Sequence, residues 1–254
     1  MNIKKHIPNA ITCCNLFCGC LAIVQAFEGN LVYSAYLVGL GAIFDFFDGF
    51  AARMLKVSSP IGKDLDSLTD MVTFGVVPSV ILFHMLKIIF LINHNFNHDA
   101  LTTNMRLVPY IGFIITIFSA IRLAKFNNDS RQTDSFIGVP TPAVALFICS
   151  LAIIFSRTYV PNYELAENKL EIFLGYLYNP IGLVILSFIL SLLLISEIPL
   201  FALKFKHFKW KGNEIRFVFL ALSLLLLITL QFVGIPLIII LYILLSIYNN
   251  LVTK

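Results

Sequence analysis

Apolar residues run along this chain in long stretches separated by short polar breaks. A bilayer crossing needs about 20 mainly apolar residues at 1.5 Å rise each. That ruler predicts eight helical spans, over residues 10–27, 31–53, 70–92, 107–126, 138–156, 178–203, 215–232 and 235–251. The stretches lack the period-2 alternation of an outer-membrane barrel, the other structure that satisfies its own backbone hydrogen bonds in hydrocarbon. The last two spans meet at "QFVGIP", where Gly234 and Pro236 break the helix and a tight antiparallel pair must follow. The expected fold class is an all-α polytopic membrane protein, one membrane domain over residues 1–254 without an internal repeat or a soluble domain.

Composition agrees, since 59% hydrophobic and 13% charged residues with a mean hydropathy of +0.89 exclude an ordinary soluble domain. The first apolar run follows Lys4 and Lys5, as in a signal peptide. Asn9, Thr12 and Asn15 interrupt it, however, and no small-x-small cleavage site precedes Glu28, so a retained first span is expected. Of the 18 Lys and Arg, 14 fall on the side of the amino terminus, the 53–69 loop, the 123–137 loop, the Lys204–Arg216 loop and the carboxyl terminus, counting Arg122 at that end of the fourth span. Arg106, Arg157 and Lys169 lie opposite with five acids, and Lys87 falls within a span. The positive-inside rule then puts both termini and the 53–69 loop on the cytoplasmic side of the inner membrane. The basic loops read as orientation signals and headgroup contacts with the lipid bilayer, and nucleic acid is not an expected partner.

Cys13, Cys14, Cys18, Cys20 and Cys149 are expected to be packing residues, because no second ligand cluster accompanies them. His84, His94 and His98 are read as structural or solvated. Asn9 or Thr12 is expected to cap the first helix.

The exception to this apolar chain is "AIFDFFDGFAARMLKVSSPIGKDLDSLTDMVTFG", Ala42 to Gly75. Asp45 and Asp48, at i and i+3 near the end of the second span, share a helix face that Ala52 continues. Asp66 and Asp70, at i and i+4, share another at the start of the third. Ser58, Ser59, Pro60 and Gly62 supply a loop that lays one pair opposite the other. Four converging carboxylates repel unless cations neutralise them, and all-oxygen ligands favour hard ions: two of Mg²⁺ or Mn²⁺, or Ca²⁺. Such a pair is the clamp used for displacement at phosphorus. Asp45 lies eight residues before Arg53, about 12 Å further along the helix into the membrane, where a carboxylate marks a functional, water-accessible cavity. An acidic first helical turn would account for Asp66 and Asp70, but not for Asp45 and Asp48. Asp64, one residue off their face, is expected to be a solvated loop acid. Gly49 and Ala52 leave room for a ligand, and Arg53 can offer its charge to phosphate.

Asp45, Asp48, Gly49, Ala52, Arg53, Gly62, Asp66 and Asp70 resemble, at every specified position, the signature D-x-x-D-G-x-x-A-R-x8-G-x3-D-x3-D of the CDP-alcohol phosphatidyltransferases. The resemblance implies a helical membrane enzyme, often a homodimer, that displaces CMP from a CDP-linked donor with an alcohol. It implies that Asp45, Asp48, Asp66 and Asp70 hold two divalent ions on the donor pyrophosphate. Gly49, Ala52, Arg53 and Gly62 would line the cytidine-phosphate pocket, with Asn15 a further candidate, and Asp70 would take the acceptor's proton.

The flanks suggest the acceptor. "DSLTDMVTFGVVPS", "IPNAITCCNLFCG" and "SAIRLAKFN" look like the phosphatidylserine synthase branch, and Met71 stands where the phosphatidylglycerophosphate branch usually has Lys. The implied substrates are CDP-diacylglycerol and L-serine. Arg122 is the candidate grip on the serine carboxylate, while Lys125 reads as a snorkelling side chain. The resemblance covers about residues 7–145, and the helices over 178–251 carry no recognisable motif. Rival readings are the same chemistry with glycerol 3-phosphate, inositol phosphate or choline, a cation transporter, and an inactive structural paralogue.

Overall fold

The computed structural model describes residues 6–94, 102–129, 136–159, 178–201, 210 and 212–252. His98, Arg131, Glu164, Glu167, Lys169, Glu171 and most of the basic loop over 204–216 lie outside them. Helix α1 (His6–Phe27) and α2 (Leu31–Leu55) form a hairpin, turned at Gly29, whose φ of 85° suits a residue without Cβ. The two helices pack along their length, and the Ser34 hydroxyl donates to the Ala22 carbonyl at 2.8 Å.

Helix α2 ends at Lys56, which adopts the left-handed conformation and returns its N–H to the carbonyls of Ala52 and Arg53. Three residues later the chain turns helical again. Ser59 caps α3 (Pro60–Asp70), accepting from the Gly62 N–H at 3.0 Å, and Pro60 occupies the first helical position where its missing N–H costs nothing. A π-helical turn over Met71–Val76 joins α3 directly to α4 (Val77–Asn93). The third span therefore begins at Pro60 rather than at residue 70, because a cap and an N1 proline start a helix whatever the polarity of the turns that follow.

A short helix α5 (Thr103–Leu107) and a 3₁₀ turn over Val108–Phe113 lead into α6 (Ile114–Asn128). Helix α7 (Thr141–Tyr159) packs on α2 and α4, and the buried core gathers there: Val77, Ile81, Met85 and Leu86 with Ile148, Leu151 and Phe155. Helix α8 (Pro180–Ile195) stops short of the expected residue 203. Pro199 pushes the residue before it out of helical geometry, and Pro199–Leu200 (β2) instead pairs antiparallel with Phe136–Ile137 (β1). This small pairing draws the end of α8 towards the segment that follows α6.

Helices α9 (Glu214–Leu230) and α10 (Gly234–Val252) are joined by a 3₁₀ turn at Gln231–Val233. The rings of Phe219 and Tyr242 lie 5.4 Å apart, so the two helices run back along one another as the expected antiparallel pair. Among the described residues, five helical stretches are long and apolar enough to cross a membrane, the last of them this hairpin, and Thr141–Arg157 and Pro180–Ile195 are shorter apolar helices. Each of the eight expected spans thus corresponds to an apolar helix of an all-α polytopic membrane protein. Large apolar side chains such as Phe17, Tyr36, Phe46, Leu224 and Ile228 are exposed on the outside, where lipid replaces water. Cys18 and Cys149 are buried, as packing residues should be, whereas Cys13, Cys14 and Cys20 lie on the outer face of α1, so only two of the five fill the core.

Candidate active site

The acidic site forms where α2 and α3 diverge from their connecting loop. Asp45 and Asp48 project from the last turns of α2, and Asp66 from the second turn of α3. One carboxylate oxygen from each lies within 4.8 Å of the others. Asp70 joins this group one turn on, with its carboxyl in hydrogen-bonding reach of Asp45. Its Oδ1 is buried without a partner. Because α3 starts at Pro60, Asp66 and Asp70 lie beyond the first turn, and the helix-dipole explanation for them does not apply. Asp64 is exposed, as expected, though on the helix rather than in a loop.

Two like charges about 4 Å apart repel by about 4 kcal/mol at an effective dielectric constant near 20. Three such pairs would rival the roughly 5–15 kcal/mol that holds a typical domain together. An all-oxygen donor set at this spacing fits a hard divalent ion, which turns repulsion into ligation. Among the described residues, this is the one group of acids, histidines or cysteines so arranged.

Packing from α1 sets the cluster's geometry. The Thr12 hydroxyl donates to Asp48 Oδ2 at 2.7 Å and also lies 3.0 Å from the Pro8 carbonyl, so it holds one carboxylate in place. Thr12 and Asn9 sit inside α1, which is already helical at His6, and neither is its cap. The spacing Pro8, Asn9, Thr12 on an otherwise apolar helix was the available signal, but its partner was not visible without the α1–α2 register.

Beside the cluster lies a cavity of about 260 Å³, with Asp48 and Asp66 in its wall. Gly49, Ala52 and Gly62 line it, together with Pro8, Asn9, Thr12, Val57, Ser58, Ser59 and Lys63. A Cβ on Gly62 would stand 3.0 Å from both Asn9 Oδ1 and Ser59 Oγ, so glycine keeps this wall open. Arg53 is exposed and folds over Gly49, with its charge acting on Asp48. Asn15 is not in the cavity wall. It is fully buried one turn deeper, where its side chain meets Gly41 of α2, its backbone carbonyl accepts from the Thr73 hydroxyl of the π turn, and both its side-chain amide atoms lack partners.

Arg122 lies on α6. It is 6% exposed, its guanidinium stands over the Phe126 ring, and its charge acts on Asp70. The register between α6 and α3 is fixed by Asn127, which donates to Ser67 Oγ at 2.8 Å and accepts from Lys63 Nζ at 3.0 Å. His84 packs edge-on against Phe27 and Phe83, and His94 caps the end of α4.

Residues 5–228 match the family model described as CDP-alcohol phosphatidyltransferase. The chain is 33% identical over 214 residues to the CDP-diacylglycerol--serine O-phosphatidyltransferase of Bacillus subtilis, which covers 83% of this chain and 95% of that protein. It is 32% identical over 221 residues to the protein of that name from Helicobacter pylori, covering 85% and 80%. With the one from Methanocaldococcus jannaschii it shares 31% over 230 residues, covering 91% and 85%.

Proposed function

The chain belongs to the CDP-alcohol phosphatidyltransferase family, and we propose that it transfers the phosphatidyl group of CDP-diacylglycerol to the hydroxyl of L-serine, giving phosphatidylserine and CMP. The observation that carries this reading is the Asp45–Asp48–Asp66–Asp70 cluster set against a glycine-walled cavity, in a chain similar along most of its length to enzymes of that name.

Asp45, Asp48, Asp66 and Asp70 would hold two divalent ions, Mg²⁺ or Mn²⁺. When bound, these supply positive charge to the donor pyrophosphate and to the departing phosphate, the main electrostatic need of phosphoryl transfer. Gly49, Ala52 and Gly62 admit the cytidine phosphate to the cavity, and Arg53 pairs with its charge from the rim. Asp70 offers its unpartnered Oδ1 to the serine hydroxyl proton as the new O–P bond forms. The bond from phosphorus to the CMP oxygen breaks, and CMP leaves with the electron pair. Arg122, beside Asp70, takes the serine carboxylate, for which a planar guanidinium is a bidentate match. Asn15 acts indirectly, by fixing α1 against α2 and the π turn beneath the cavity.

The charge distribution supports an inner-membrane protein with both termini and the site on the cytoplasmic side, where CDP-diacylglycerol headgroup and serine can meet. The working unit is a homodimer and the whole chain is one membrane domain. CMP release by purified protein, with serine, glycerol 3-phosphate, inositol phosphate and choline compared as acceptors, tests the reading. Serine-dependent release supports it, and release with another acceptor overturns the choice of branch.

A further inference from the structure

A second cavity, of about 350 Å³, has Arg122 in its wall. Its wall combines Arg122 and Lys125 of α6 with Ser196 and Glu197, which follow the end of α8. Arg122 links this cavity to the acidic cluster. It is 6% exposed, its charge acts on Asp70, and its Nε is buried without a hydrogen-bond partner. A buried guanidinium with an unmet donor is costly unless an anion completes it. The cavity also holds two acids, Glu197 after the end of α8 and Asp129 at the end of α6. Glu197 is exposed towards the cavity, and Asp129, the other acid there, already has an interaction of its own.

This placement follows from local structure. Helix α8 stops at Ile195, Ser196 turns extended, and the β1–β2 pairing pins the segment after it. Gly138, at φ 76°, lies so close to the carbonyls of Leu194 and Ser196 that a Cβ would stand 2.7 and 2.8 Å from them. Glu197 is thereby held on a braced turn rather than on a free loop.

Resting on the serine reading above, we propose that this cavity is the acceptor site and that Glu197 is its specificity residue, binding the acceptor ammonium while Arg122 binds the carboxylate. A cation and an anion in one cavity match a zwitterionic amino acid. They disfavour acceptors that carry phosphate and no cation, because Glu197 then repels the ligand and has no ammonium to bind. The helices beyond the acidic motif thus contribute the selection of substrate.

The test uses serine with two analogues that each lack one charge: ethanolamine, without the carboxylate, and 3-hydroxypropionate, without the ammonium. Inhibition constants against serine are measured for wild type, Glu197→Gln and Arg122→Gln in detergent, with KM for CDP-diacylglycerol followed in parallel. Glu197→Gln is expected to raise KM for serine and Ki for ethanolamine about tenfold, and to leave Ki for 3-hydroxypropionate within twofold. Arg122→Gln is expected to do the reverse to the two analogues. Glu197 is exposed, so its variant should fold; an unchanged melting temperature checks this. If ethanolamine fails to compete in wild type, or if Glu197→Gln affects both analogues equally, the assignment is overturned while serine transfer stands. If wild type shows no serine-dependent CMP release, the underlying reading fails first.

Discussion

At the scale of single residues, the acids can be told apart by what surrounds them. Asp45 and Asp66 face each other across two helices and serve only the cluster, so Asp45→Asn and Asp66→Asn should each lower CMP release by about 10²-fold or more. Fold and detergent melting temperature should persist, since each removes a repelling charge; near-wild-type turnover in either would sink the metal assignment. Thr12 acts through Asp48. Thr12→Val keeps the shape but removes the 2.7 Å hydrogen bond. It should raise the divalent-ion concentration for half-maximal activity about 10- to 100-fold, as loss of a ligand's supporting partner does elsewhere, and titration with Mg²⁺ would show it. The acids were legible in the sequence because i, i+3 and i, i+4 spacing fixes a shared face on any helix. Thr12 was not, because its partner is 36 positions away and depends on how two helices pack.

At the scale of elements, the site depends on where α3 starts and how it bends. Ser59 and Pro60 set its first turn, and Ser59→Ala should cost about 1 kcal/mol of stability. Because Ser59 and Gly62 also line the cavity proposed for the donor, the same change should raise KM for CDP-diacylglycerol more than it lowers kcat. The π turn after Asp70 is of a kind frequent at functional sites, and it rests on α1. A Cβ on Gly19 would stand 3.2 Å from the Thr73 Cα, inside the normal packing distance. Gly19→Ala should therefore lower stability by about 1–3 kcal/mol, read as a drop in melting temperature. Hydropathy failed at two element ends for opposite reasons. The turns "PIGKDLDSLTD" are too polar to resemble a span yet are capped as a helix, whereas "EIPLFAL" is apolar enough to extend one but contains Pro199.

At the scale of the whole molecule, eight apolar helices were legible from hydropathy because bilayer thickness imposes a minimum length on each. Which of them share a core was not, since α4 and α7 meet through packing that no local pattern encodes. The proposed cytoplasmic orientation predicts that, with the native cysteines replaced by serine, Ser58→Cys reacts with a membrane-impermeant maleimide in inside-out vesicles and is protected in intact cells; the opposite pattern would reverse the topology. The most direct test of the central claim is CMP release by the purified protein with CDP-diacylglycerol, Mg²⁺ and serine, before and after EDTA. Release that requires serine, disappears with EDTA and returns with added Mg²⁺ or Mn²⁺ is the predicted result. Release that persists in EDTA, or none with serine under any condition, would contradict a carboxylate-held metal site that transfers phosphatidyl groups to serine.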